Sequence, residues 1–75
     1  MEIHIEYCEQ WNYHPEFERV SAIITKYYPK AIIKGNNSSP RTGSFEITIN
    51  NVLKYSKFQT NEFPTEREIY HWLKK

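Results

Sequence analysis

Apolar and polar positions alternate from the first residues: Ile3, Ile5 and Tyr7 against Glu2, His4 and Glu6. A period of two predicts a half-buried strand. Residues 8 to 13 read as a loop, and the period then changes. Phe17, Val20, Ile24 and Tyr27 or Tyr28 recur at helical spacing, with Ile23 widening the stripe, which predicts an amphipathic helix. Pro15 fits its first turn, where a missing N–H costs nothing. Glu16 and Glu18 favour its positive end, and Pro29 stops it.

Ala31-Ile32-Ile33 reads as a short strand ended at Gly35, and Asn36-Asn37-Ser38-Ser39-Pro40 as a polar turn or loop. Alternation returns after Thr42-Gly43, with Phe45, Ile47 and Ile49 on one face and Ser44, Glu46, Thr48 and Asn50 on the other. Asn50-Asn51 is a candidate hairpin turn, because asparagine tolerates positive φ. Val52 to Ser56 is the return strand, with Leu53 and Tyr55 expected on the inner face. Lys57 to Glu62 is read as loop. Thr65 and Glu68 form a capping box before a last helix. Phe63 lies near the position of a hydrophobic staple to Ile69, and Ile69, Trp72 and Leu73 face inward. Lys74 and Lys75 suit that helix's negative end.

The order is strand, helix, strand, strand, strand, helix. A sheet covered on both faces reads as near-continuous apolar runs, and here the first and third strands each keep a polar face. The fold class is therefore α/β, a small two-layer sandwich with both helices on one face of the sheet. The first two strands are expected to be parallel, joined by a right-handed crossover, and the last two to form an antiparallel hairpin.

Composition narrows the function. With 75 residues the chain is expected to form one domain, 1–75, with a small core. Its twelve aromatic residues (6 Tyr, 4 Phe, 2 Trp) and one cysteine leave aromatic packing, not a disulfide, as the means of stapling it. A net charge of +1 gives no electrostatic case for nucleic acid or an anionic membrane. No apolar run approaches the roughly 18 residues of a membrane span. Met1-Glu2-Ile3-His4 does not read as a signal peptide. With a free cysteine this points to a reducing compartment, and the expected localisation is cytoplasmic. His4, His14 and His71 have no ligand spacing, so no metal is expected. The carboxylate pairs Glu16 with Glu18 and Glu66 with Glu68 lie at helix starts, where dipole and capping effects explain them.

The chemistry-bearing residue is Cys8, between the first strand and the first helix. A thiol near the positive end of a helix is shifted toward thiolate, its reactive form. His14 lies close to the thiol loop, and an imidazolium beside Cys8 would favour thiolate. Against this stands the buried, inert cysteine that behaves as a small hydrophobe.

Cys8-Glu9-Gln10-Trp11-Asn12-Tyr13, Thr42-Gly43-Ser44-Phe45-Glu46-Ile47, Ser56-Lys57 and Phe63-Pro64 occur in that order, and together they resemble the selenoprotein W, T and H family. The resemblance implies a thioredoxin-like fold with strand order second-first-third-fourth. It also implies a redox loop after the first strand, with cysteine, two residues, then cysteine or selenocysteine. Trp11 stands at that second redox position, Asn12 at a usual glycine, and Asn51 at the glycine of the hairpin turn. Selenocysteine is encoded by a codon that some genetic codes read as tryptophan. Two readings of position 11 therefore stand: a genuine tryptophan, or a replacement of selenocysteine.

The resemblance implies a thiol redox protein acting through Cys8, by thiol–disulfide exchange or glutathionylation, with an antioxidant role. Cys8 and position 11 would be the catalytic positions, with Glu9, Gln10, Tyr13, Thr42 and Gly43 flanking or binding. No resident cofactor is implied; glutathione would be the co-substrate, and glutathione or a protein thiol or disulfide the partner. The alternative is a redox-inactive module whose Cys8–Tyr13 loop presents Trp11 and Tyr13 to a protein, since exposed tryptophans are enriched at interface hot spots. Whether the chain is an enzyme is left open between the two.

Overall fold

A computed structural model describes residues 1–74; Lys75, expected at the end of the last helix, lies outside them. The elements are β1 (Glu2–Tyr7), α1 (His14–Tyr27), β2 (Ile32–Lys34), β3 (Phe45–Ile49), β4 (Val52–Ser56), α2 (Lys57–Thr60) and α3 (Glu66–Leu73). One sheet has the order β2-β1-β3-β4. β1 is parallel to β2 and antiparallel to β3, and β3 is antiparallel to β4. This is the expected two-layer arrangement and strand order.

The core joins the inward face of the sheet to the two longer helices. Ile3, Ile5, Phe45, Ile47, Ile49 and Tyr55 from the strands meet Val20 and Ile24 of α1 and Ile69 and Leu73 of α3. Each fully buried Val, Leu, Ile or Phe side chain stabilises by about 1.5–3 kcal/mol relative to exposure. Both long helices therefore cover one face and leave the other without a helical layer. The Asn50-Asn51 turn has φ of 50° and 68°, which matches the right-handed twist of the hairpin strands it joins.

The structure corrects four expectations. Leu53 is half exposed (50%) and does not face inward. The β3–β4 register shifts between Ile47 and Thr48, so that Ile47 pairs with Tyr55 but Thr48 with Leu53. Lys54 is thus an extra residue, a bulge that turns Leu53 onto the polar face. Part of the expected loop from Lys57 to Glu62 is the helical turn α2. β2 begins one residue later than expected, at Ile32. Finally, Ser44 and Glu46 lie on the polar face but are buried. That end of the sheet is covered by Arg41, which ion-pairs with Glu6 at 2.8 Å and lies over the Phe58 ring at 5.0 Å.

Candidate functional site

β1 delivers the chain to Cys8, whose N–H donates to the Ser44 carbonyl at 2.9 Å. Position 8 is thereby fixed against the start of β3. Beside it, Asn36 substitutes for a strand neighbour: Tyr7 N–H donates to Asn36 Oδ1, and Asn36 Nδ2 donates to the Tyr7 carbonyl, both at 2.9 Å. The chain then turns. Asn12 N–H donates to Glu9 O and Tyr13 N–H to Cys8 O, each at 3.0 Å, and Asn12 takes φ 59°. Asparagine tolerates the left-handed region, so the residue at the usual glycine position adopts a backbone that glycine also favours.

The sulfur is fully buried (0%) and lies outside the main core cluster. It accepts the Trp11 amide at 3.4 Å. Cys8 thus lies in the loop between β1 and α1, where the sequence pattern places it. α1 begins only at His14, and Tyr13 at its N-cap makes no side-chain cap hydrogen bond. The first α1 amides bond elsewhere, with Glu16 and Phe17 N–H both donating to the Tyr13 carbonyl. The sulfur's donor belongs to the turn, because a sulfur one residue past the strand meets the i+3 amide before the helix opens.

The structure brings most of the sequence-selected residues together. The Trp11 indole packs against Gly43: a Cβ built there would stand 2.9 Å from Trp11 Cζ3. Gly43 has φ +80°, so both space and backbone favour glycine at this point. Thr42 Oγ1 donates to Gln10 Oε1 at 3.4 Å, and Asn36 Nδ2 donates to Glu9 Oε2 at 3.3 Å. Trp11 is nevertheless 54% exposed. It meets Tyr13 edge-on at 6.1 Å, and Tyr13 in turn meets Phe63 at 4.8 Å. His14 makes its contacts with the rings of Tyr7 and Phe17 and with Glu18, at 3.6 Å.

Sequence reasoning did not single out Asn36, Glu6, Ser44, Lys57 or Phe63 as neighbours of this loop. Lys57 Nζ lies 5.4 Å from the centres of both the Tyr13 and Phe63 rings. Glu6 is held below the usual carboxylate range, chiefly by the Arg41 guanidinium and against the effect of burial. Its signal in the sequence was the charge at an alternate position of β1, which also fits a merely solvated face. Among the described residues no group of three or more His, Cys, Asp or Glu is placed to hold a metal, and no helix is long and apolar enough to cross a membrane.

A parallel–antiparallel sheet of this order, carrying one buried cysteine where β1 turns toward α1, defines a small thioredoxin-like protein with a single thiol. The chain belongs to the Rdx family, whose model matches residues 2–75. It is 33% identical to selenoprotein W of Gallus gallus over 76% of this chain and 68% of that protein. It is 31% identical to migration and invasion enhancer 1 of Bos taurus over 87% of this chain and 55% of that protein; the chain thus spans about half the length of that relative. A selenoprotein W-related protein from Vibrio cholerae superposes with TM-score 0.80 at 26% identity, over 93% of this chain and 88% of that one. A protein from Bordetella parapertussis shares the fold, with TM-score 0.75 at 17% identity over 96% and 91%.

Proposed function

We propose that this protein is a monothiol redox protein in which Cys8 exchanges with disulfides and an external thiol resolves the product. The observation that carries the reading is the Trp11 amide directed at the Cys8 sulfur in a chain linked at family level to selenoprotein W. That amide is a hydrogen-bond donor already in place for the sulfur when it carries charge. The Cys8 thiolate attacks one sulfur of a disulfide; a new S–S bond forms at Cys8, the old one breaks, and one thiolate leaves. A glutathione thiolate then attacks the attached group's sulfur, releasing a glutathione mixed disulfide and returning Cys8 as thiolate. Glu9, Gln10, Tyr13, Thr42 and Gly43 shape the approach, and Trp11 walls it. If position 11 is naturally selenocysteine, that residue is the nucleophile and Cys8 resolves.

Burial of the sulfur means that the turn over residues 9 to 12 must move for a disulfide to reach it. That turn is held by the Asn12–Glu9 and Tyr13–Cys8 backbone hydrogen bonds and by long side-chain hydrogen bonds from Thr42 and Asn36, and opening it must loosen these. A second reading rests on the exposed Trp11 ring: a binding module presenting Trp11 and Tyr13 to a protein partner, with Cys8 structural.

Oxidised glutathione separates the two. The reduced, folded protein is expected to gain one glutathionyl group by mass, and to lose it with added glutathione, while Cys8→Ser gains none. A Cys8 that reacts only after unfolding sinks the redox reading and leaves the binding module.

A further inference from the structure

The strand order sets two unlike charges on the two flanks of Cys8. β1 delivers this residue with β2 on one side and β3, then β4, on the other. On the β2 side, Asn36 stands beside Tyr7 in place of a strand neighbour and donates from Nδ2 to Glu9 Oε2 at 3.3 Å. Glu9 directly follows Cys8 and is exposed. No cation among the described residues forms an ion pair with it.

On the β4 side, Lys57 follows Ser56, the last residue of that strand. Its side chain turns back toward the Cys8 loop, with Nζ 5.4 Å from the centres of both the Tyr13 and Phe63 rings. Those rings meet edge-on at 4.8 Å, and Tyr13 gives its amide to the Cys8 carbonyl at 3.0 Å. Two aromatic rings attract an ammonium without neutralising its charge. The nearby Glu46 carboxylate accepts the Lys57 backbone N–H at 2.9 Å, but no carboxylate among the described residues forms an ion pair with the ammonium. Arg41, by contrast, is matched by Glu6 at 2.8 Å.

We propose that Lys57 and Glu9 are specificity-determining residues for a zwitterionic disulfide, Lys57 receiving a carboxylate and Glu9 an ammonium on either side of the sulfur under attack. The proposal rests on the monothiol reading above and narrows its substrate to disulfides of the glutathione type. A glutathionyl unit carries its sulfur on the middle residue, a carboxylate at the glycine end, and an ammonium with a second carboxylate at the other end. An extended tripeptide spans roughly 10 Å, about two strand spacings. Its ends can therefore lie to the two sides of one strand while its sulfur stands over the end of that strand. Neither residue moves a proton. The Cys8 thiolate takes one sulfur, the old S–S bond breaks, and a glutathione thiolate leaves.

The test is the rate of mixed-disulfide formation at Cys8, followed by mass, with three disulfides: oxidised glutathione, the neutral bis(2-hydroxyethyl) disulfide and the dicationic cystamine. The proteins are the wild type, Lys57→Gln, Lys57→Arg and Glu9→Gln. Lys57→Gln should slow the glutathione reaction roughly two- to fivefold, the range of one exposed ion pair, speed that of cystamine and leave the neutral reaction unchanged. Lys57→Arg, which keeps the charge, should keep the wild-type ratios. Glu9→Gln should slow glutathione and cystamine alike relative to the neutral disulfide. Added salt should shrink all of these differences. If either glutamine variant keeps the wild-type ratio of glutathione to neutral rates, whether both rates fall or neither does, the proposal is overturned, while adduct formation by the wild type leaves the monothiol reading intact. A folded wild type that forms no adduct with any of the three overturns both.

Discussion

The chain enters its two long helices through loops that are finished differently. Before α3, Thr65 accepts the Glu68 amide at 3.1 Å and Glu68 accepts the Thr65 amide at 2.9 Å. Pro64 is buried beneath them. Before α1 there is no side-chain cap, Asn12 sits at positive φ, and an exposed tryptophan gives its amide to a buried sulfur. The first loop turns its polar side chains to its own helix. The second directs a turn amide to the sulfur and leaves its helix to begin on a carbonyl. A loop that departs from local capping rules while holding a thiol is where function is expected, whereas one that satisfies them all is accounted for by stability.

The sharpest way to extend the contrast is Trp11→Cys. The residue 11 amide already lies 3.4 Å from the Cys8 sulfur, so a second thiol there falls within a Cys-x-x-Cys spacing. The variant should go from two titratable thiols to none on mild oxidation, in a thiol assay under native conditions; two thiols persisting would show that the turn cannot close a disulfide. Next comes Gly43→Ala. Positive φ costs a residue with Cβ roughly 1–2 kcal/mol, and contact with Trp11 adds to it. Denaturant unfolding should show that loss, and displacement of the indole should speed Cys8 alkylation. Thr65→Ala should have the smallest effect, about 1 kcal/mol, seen in the same unfolding curves. Its alkylation rate should stay that of the wild type. A Thr65→Ala variant with altered Cys8 reactivity would erase the distinction between the loops.

The elements were legible because this sequence is consistent at each level. The alternation of Ile3, Ile5 and Tyr7, the helical spacing of Val20 and Ile24, and the Thr65–Glu68 box each specify one local structure, and the core joins them as they indicate. The bulge was not legible. Leu53 and Tyr55 keep perfect alternation, and only pairing with β3 reveals that Lys54 is extra. The loop's residues were legible as a group through their resemblance to a family, but their distances were not. The bond from the Cys8 amide to the Ser44 carbonyl is visible only once β1 and β3 are paired. Asn36, read as solvated loop, proved to complete the backbone of Tyr7, a role set by its position beside β1.

The bulged Lys54 also bears on how copies of this chain meet. β4 is an edge of the sheet, with Val52 and Leu53 more than or near half exposed. A straight apolar edge is a template on which another chain can add a strand and begin an aggregate. Here the extra residue breaks the spacing of the free amides and carbonyls along that edge, and it carries a positive charge. Two β4 edges approaching antiparallel about this point would bring lysine toward lysine across a kinked ladder. The irregularity that hid Leu53 from sequence reading thus makes this edge a poorer template for strand addition than a straight one.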